Sequence, residues 1–316
     1  KKTRNQDGTT IHISDLYPGI TARFKDDAEA FLSDLESMVA THYAFIINKG
    51  FKVSINGNFV KPRPTKLIFN RKTGTKAAPS VKPFIFKTKT GDGVEVFVAV
   101  GFTRAIPSIE DALVEQEGVR HSTLDAGWTI VCNDRAVIYC DRSELTGWGV
   151  AGIPRYHTQF IAISGIVEFK SSDASKLPMT TTKRGIDASS PLFAQIKDKM
   201  REGMGIFVDY TNKWKGMASE AKKHIDRGDS LSFEEIKKET SKLPLHQTKR
   251  FVLPGEQFKP ELPLPKKIEA NKRRISFVKN IDDIECVSEY LFKSKDTDAD
   301  DVGEKCFDLF LKEAQK

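Results

Sequence analysis

The sequence predicts an α+β fold: a mixed sheet built early in the chain, then a mostly helical remainder. Three observations carry this. Short apolar stretches, alternating or continuous and separated by turn residues, recur between Phe51 and Phe169. One long helical period opens at Ser190-Pro191 and runs to about Lys215. Beyond residue 217 the pattern is charged, helical and interrupted by proline.

Each element follows from local chemistry. Thr9 to Leu16 alternates like a strand and stops at Tyr17-Pro18-Gly19, a turn signal. From Asp26 to about Asn48 the period is helical, with Ala28, Phe31, Leu32, Leu35, Met38, Val39 and Ala40 on one face. Asp26 and Asp27 suit the positive start of that helix. Phe51 to Val60 alternates about Asn56-Gly57, a hairpin signal. Lys61 to Lys82 is rich in Pro, Lys, Thr and Gly and reads as an insertion or a mobile loop. Phe84–Lys89 and Val94–Thr103 flank Thr90-Gly91-Asp92-Gly93 as a second hairpin, and Gly127–Cys132 and Ala136–Asp141 flank Asn133-Asp134-Arg135 as a third. Ile109 to Asp125 reads as an acidic loop with a short helix, and Phe160 to Phe169 as a buried strand. Ser190 caps the long helix and Pro191 fits its first turn. Residues 217–250 read as a charged helical hairpin broken at Arg227-Gly228-Asp229. Leu253 to Pro265 carries four prolines and reads as an extended linker. Lys272 to Val278 reads as a strand. Asp282–Phe292 and Ala299–Ala314 read as closing helices, with Ile284, Val287, Leu291, Val302, Cys306, Leu309 and Phe310 facing inward.

Composition removes several classes of function. The chain has 316 residues, 39% of them hydrophobic and 29% charged, an ordinary globular profile. No run of about 18 apolar residues is present, which excludes a membrane-spanning helix. The polar start carries no apolar signal-peptide core. Cys132, Cys140, Cys286 and Cys306 form no C-x-x-C pair, which speaks against a structural zinc site and for a reducing, cytoplasmic compartment. The chain opens on Lys1 and not on Met, so it is expected to be a piece of a longer protein.

Charge is uneven. Residues 1–216 hold 30 Lys/Arg and 23 Asp/Glu, whereas residues 217–316 hold 20 of each. From Lys49 to Lys89 there are 11 basic residues and no acid, where even scatter would place about five or six acids. Two explanations are open. Either the run is a surface for a phosphate backbone, with Lys61, Arg63, Lys66, Arg71, Lys72 and Lys76 as its contacts, or it is a solvated face whose acidic partners come from elsewhere in the fold.

Three motifs in order carry a resemblance. Gly8-Thr9-Thr10-Ile11-His12-Ile13-Ser14-Asp15-Leu16-Tyr17 is similar to the G-T-x-V-x-V-x-D-L-F entry from the nucleotide lobe of MutL-type proteins into their second domain. Gly127 to Ile138, with Asn133-Asp134-Arg135, resembles a hairpin of MORC and MutL proteins. Leu177-Pro178-Met179-Thr180-Thr181-Thr182-Lys183-Arg184-Gly185-Ile186-Asp187, followed by the helix from Ser190, resembles the P-T-x-N-K-x-x-F segment of MORC-type ATPases. Over residues 8–216 the chain thus resembles the transducer domain of GHKL-type ATPases. The resemblance implies a transducer-type mixed sheet with a left-handed βαβ crossover. It implies a transducer-like domain over residues 1–170, a nucleotide-sensing loop and long helix over 171–216, and a helical C-terminal region over 217–316. It also implies ATP and Mg2+ held by an N-terminal lobe, ATP-driven homodimerisation, and action on DNA or another partner. Lys183 would contact the γ-phosphate as the catalytic residue, with Thr181 and Thr182 beside it.

The chain departs from that family where ATP itself is bound. The Glu/Asn pair one helical turn apart, the D-x-G-x-G and the Gly-rich lid do not occur in the expected arrangement, so this chain alone is not expected to hydrolyse ATP. Without the resemblance, the charge run reads as a stand-alone basic nucleic-acid-binding module, or the whole as a structural interaction protein. Other motifs are weak. Gly147-Trp148-Gly149-Val150-Ala151-Gly152 precedes Pro154 and not a helix, which argues against a dinucleotide fingerprint. Gln247-Thr248-Lys249 copies a phosphate-sensing tripeptide of type II topoisomerases but falls late in the domain order. No histidine has metal-ligand spacing, and Trp128, Trp148 and Trp214 read as core anchors.

Overall fold

A computed structural model describes residues 9–71, 79–108, 112, 125–248, 253–265, 275 and 277–316. Its centre is a seven-stranded mixed sheet. Helices α1 (Pro18–Asp26), α2 (Ala28–His42) and α3 (Ala44–Asn48) come first. A small hairpin of β1 (Ser54–Ile55) and β2 (Asn58–Phe59) and then β3 (Lys66–Phe69) precede the sheet proper. Asn56 and Gly57 both take positive φ, 48° and 84°, as a two-residue hairpin turn requires.

The sheet contains β4 (Phe84–Lys89), β5 (Glu95–Phe102), β6 (Gly127–Cys132), β7 (Arg135–Asp141), β8 (Ile163–Lys170), β10 (His246–Gln247) and β11 (Glu256–Phe258), in the order β10-β11-β4-β5-β8-β6-β7. β6 and β8 are parallel, and every other neighbouring pair is antiparallel. That parallel pair is joined through β7 and two short 3-10 turns, Glu144–Thr146 and Thr158–Phe160, rather than through an α-helix. The remainder is mostly helical: α4 (Pro191–Lys213), α5 (Ala218–Ile225), α6 (Phe233–Thr240), α7 (Ile281–Phe292) and α8 (Ala299–Ala314), with β9 (Asp229–Ser232) between α5 and α6.

Alternation divides the core between the two faces of the sheet. Phe84, Phe86, Val98, Val100, Phe102, Trp128 and Ile130 point to one face, where α4 lies with Phe193, Ile196, Met200, Met204 and Phe207. Ile85, Ala99, Val131 and Ile166 point to the other, covered by Phe45, Leu67, Phe69, Leu231, Phe233 and Ile236. Gly203 lets α4 approach closely, since a Cβ there would stand 2.5 Å from Phe84 Cδ1 and 2.6 Å from Val100 Cγ1.

Six expectations need correction. Of the closing-helix residues expected to face inward, Val287, Leu309 and Phe310 are exposed. Residues 9–16 form no strand: Ile11 is 80% and Ile13 73% exposed, because alternation alone does not hold a strand without a neighbour to pair with. The stretch expected as a loose insertion contains β3, missed because Leu67, Ile68 and Phe69 are all buried and so do not alternate. The break at Arg227-Gly228-Asp229 leads into β9, which pairs with β3 from Phe69–Asp229 to Lys66–Ser232. The 253–265 linker is extended but bound: β11 pairs with β4, and Trp214 Nε1 donates to Pro263 O at 3.1 Å. Residues 275, 277 and 278, the described part of the stretch from Lys272 to Val278, are not in a strand. The acidic stretch from Ile109 to Asp125 lies outside the described residues except for Ala112 and Asp125. Among the described residues no helix is long and apolar enough to cross a membrane.

Candidate functional site

The loop between β8 and α4 presents Lys183. Its roots are fixed. Leu177 is 5% and Ile186 6% exposed, and Met179 bridges Ile186 in antiparallel fashion. Thr180 N–H donates to Gly185 O at 3.1 Å, and Lys183 N–H donates to Thr180 O at 2.9 Å, closing a tight turn. Thr180 and Thr182 hydroxyls share a hydrogen bond of 3.2 Å. Lys183 sits at the tip with φ of 55°, a left-handed conformation that disfavours a residue with a Cβ. Thr181, Thr182, Lys183 and Arg184 are exposed, and among the described residues the Lys183 ammonium has no hydrogen bond or ion pair. Hydrogen bonds thus hold the turn of the loop, and its cation has no partner among the described residues.

The far root of the loop runs into α4. Asp187 N–H donates to Pro178 O at 2.9 Å, and the Asp187 carboxylate accepts from the Ser189 hydroxyl and N–H. Those two hydrogen bonds hold its carboxyl below the usual range. Ser190 then caps α4 by accepting from Phe193 N–H at 3.5 Å. The sequence motif contains the threonines, Lys183 and Asp187 and is followed by the Ser190 cap, but it assigns no role to Asp187 and omits Ser189. Their signal was an Asp followed two residues later by a Ser, a local turn that also occurs at Asp173-Ser175 and so marks no function by itself.

The basic run divides three ways. Lys49 pairs with Asp134 at 2.6 Å, Arg71 with Asp229 at 3.5 Å and Glu239 at 3.7 Å, Lys87 with Glu256 at 2.7 Å, and Lys89 with Glu95 at 2.9 Å. Lys82 is buried, and burial pushes its ammonium pKa down. Lys52, Lys61, Arg63 and Lys66 are exposed and carry no ion pair among the described residues. Lys72 and Lys76 lie outside the described residues. Of the six expected phosphate contacts, Lys61, Arg63 and Lys66 thus have no ion pair among the described residues, and Arg71 is engaged by two carboxylates. The explanation by acidic partners from elsewhere in the fold accounts for Lys49, Arg71, Lys87 and Lys89.

The remaining motifs are structural where they are described. The 147–152 stretch is a loop with Gly147, Gly149, Ala151 and Gly152 all at positive φ, and no helix follows it. Trp128, Trp148 and Trp214 are buried. Burial raises the Cys132 thiol to about 12 and the Cys140 thiol to about 11, which makes both poor nucleophiles. His157 caps a 3-10 turn, its Nδ1 accepting from Gln159 N–H at 3.2 Å. Lys249 lies outside the described residues. A cavity of about 120 Å3 between Ile106, Pro107, Thr211 and Trp214 is mostly apolar; Ser108, His157 and Lys215 also line it, and none of its described lining side chains is a carboxylate. Among the described residues, no group of three His, Cys, Asp or Glu side chains is placed to hold a metal. Comparison with known proteins adds no identity: no family model, no curated protein and no solved structure matches the chain significantly.

Proposed function

We propose that this chain is the transducer portion of a GHKL-type ATPase, with Lys183 as its sensor of the γ-phosphate. The loop geometry carries the reading. A free ammonium is held at an exposed tip whose backbone stays left-handed at a non-glycine residue. Such strain persists where the surroundings enforce it, and it clusters at ligand contacts. A lysine is a compact point charge suited to a phosphate oxygen. ATP, held by a nucleotide lobe together with Mg2+, would supply the negatively charged γ-phosphate. Thr181 and Thr182 stand ready as further hydroxyl or backbone contacts.

The same loop is a lever. Motion at Lys183 passes through Ile186, Asp187 and Ser190 into α4, a helix about 34 Å long at 1.5 Å per residue. α4 lies across β4, β5 and β8, so displacement of the tip reaches the sheet. Coupling of nucleotide state to dimerisation then needs no catalytic group elsewhere in this chain. A second observation agrees. Residues 9–16 have a strand's alternation yet present Ile11 and Ile13 to solvent, as a strand does when its sheet belongs to another lobe. The rival reading, a stand-alone basic module, gives Lys183 no task and loses four of its eleven cations to internal ion pairs.

The test is ATP turnover by the natural polypeptide carrying this chain and its nucleotide lobe. Lys183→Ala and Lys183→Gly are expected to lower turnover by about 10²–10³-fold. Lys183→Gly also relieves the left-handed backbone, so its thermal stability should equal or exceed that of the parent. Turnover unchanged in both variants overturns the assignment.

A further inference from the structure

The β1–β2 hairpin has two unlike faces. Val60 N–H donates to Val53 O at 2.9 Å, extending the ladder one pair beyond Ser54–Phe59. Side chains alternate across a strand, so Val53, Ile55 and Val60 share the inner face. Val60 is buried there, and Val53 and Ile55 are half-buried. Lys52, Ser54, Phe59 and Lys61 share the outer face, and all four are exposed. Phe59 is 67% exposed, with the Lys52 ammonium 5.9 Å from its ring centroid. At the foot of the hairpin Phe51 is 61% exposed.

Within the fold the outer ring meets the Lys52 ammonium, and at 67% exposure it contributes little to the core. The inner valines and isoleucine already bind the hairpin to the body, and a polar residue would serve at the outer position. The hairpin is also held at its base, because Arg63 N–H donates to Ala40 O at 2.8 Å and Lys49 grips Asp134. Lys52, Lys61 and Arg63 have no acidic partner among the described residues, and no acid occurs in sequence between Lys49 and Lys89. An exposed ring with cations on its base side, on a fixed support, suits a base set beside its backbone phosphates.

We propose that this face binds single-stranded nucleic acid, with Phe59 stacking on a base and Lys52 and Lys61, together with Arg63 at the hairpin's base, meeting neighbouring phosphates. A duplex keeps its base faces stacked on one another and offers none to the ring. An acidic protein partner would satisfy the lysines, but one exposed ring and its foot bury too little area to anchor a protein interface. The inference is independent of the ATPase reading, since it needs neither ATP nor Lys183.

Fluorescence anisotropy with a labelled oligothymidylate of about 20 nucleotides tests it, beside a duplex of the same length. The single strand is expected to bind more tightly than the duplex. Phe59→Ala should weaken binding by roughly 5- to 100-fold at unchanged salt slope, and Phe59→Trp should retain it. Lys52→Ala with Lys61→Ala should lower the salt slope by about 1.4, two contacts at about 0.7 each. Circular dichroism of each variant should match the parent, because the altered side chains are exposed. Absence of binding at about 50 mM salt, equal binding by Phe59→Ala, or preference for the duplex overturns the proposal. So does self-association that Lys52→Glu with Lys61→Glu abolishes while oligonucleotide binding persists.

Discussion

The two faces of the central sheet are covered in different ways. On one, a single 23-residue helix forms the main cover, with Phe193, Ile196, Met200, Met204 and Phe207 of α4 each 1% exposed or less, and Trp148, Phe160, Trp214 and Ile225 join it from neighbouring segments. Its contacts are apolar, including Phe102 and Phe207 edge to face at 5.0 Å. On the other face the cover is assembled from α3, β3, β9 and α6, pieces that lie far apart in the chain. That face also buries a charge. Glu168 on β8 is 3% exposed and meets Lys237 of α6 as well as Lys170 at 3.4 Å. A continuous helix needs only shape to stay in register. Cover assembled from separate pieces gains from a specific polar contact that penalises misplacement, although such a pair adds little net stability.

The sharpest way to break the first face is steric. Gly203→Val places a branched side chain where Phe84 and Val100 already stand within 2.6 Å of the new Cβ. Neither neighbour is free to move, since both are fully buried. The expected loss is about 3 kcal/mol or more, at the upper end of overpacking costs, and urea unfolding measures it. A loss below about 1 kcal/mol would show that α4 floats on the sheet, and the contrast between the faces would disappear.

The second face is better probed through its charge. Lys237→Ala leaves Glu168 buried with only Lys170 nearby. The expected loss is about 2 kcal/mol, less than for a fully orphaned buried carboxylate because Lys170 remains. Lys237 also lies over the rings of Phe233, at 4.7 Å, and Phe97, at 5.8 Å, so its loss removes packing as well. The double variant Glu168→Leu with Lys237→Met should recover to within about 1 kcal/mol of the parent. If the double variant is as weak as the single, the pair contributes net stability and the view of it as a positioning contact fails.

The same contrast explains what the sequence made legible. Hairpins announced by Asn56-Gly57, Thr90-Gly91-Asp92-Gly93 and Asn133-Asp134-Arg135 formed where expected, because turn chemistry is local. α4 was legible through its cap and period. The second face was not. β3 and β9 are four residues each, and their pairing joins Leu67 to Leu231 across 164 positions. β11 hid among prolines, which it tolerates because it is only three residues long and pairs at Glu256, Gln257 and Phe258. At the candidate site, the TTTK loop could be named from its place before a capped helix, but its left-handed tip could not, because backbone strain has no signature in residue type. Phe59 went unremarked for a related reason. An aromatic residue in a strand reads as core until the pairing shows which face it occupies.

The smallest effect concerns charge at the rim of the α4 face. Glu202 on α4 accepts from Lys199 at 2.7 Å and from Lys259, in the proline-rich segment, at 2.6 Å. Burial alone would raise its carboxyl pKa, but the hydrogen bonds and charge of Lys199 and Lys259 outweigh burial and hold it below the usual value. Because the folded pKa lies below the unfolded one, the bridge stabilises fully above the ordinary carboxylate range and is lost as pH falls through the lowered folded value. Lys259 is half exposed, with 53% of its side-chain surface accessible, so screening limits the contribution to less than about 1 kcal/mol. Urea unfolding of the parent and of Glu202→Gln from neutral to acid pH should show a small gap that closes on acidification. Parallel curves would mean that Lys259 does not fasten its segment to α4, and the extended pairing of β11 with β4 would be left to hold it.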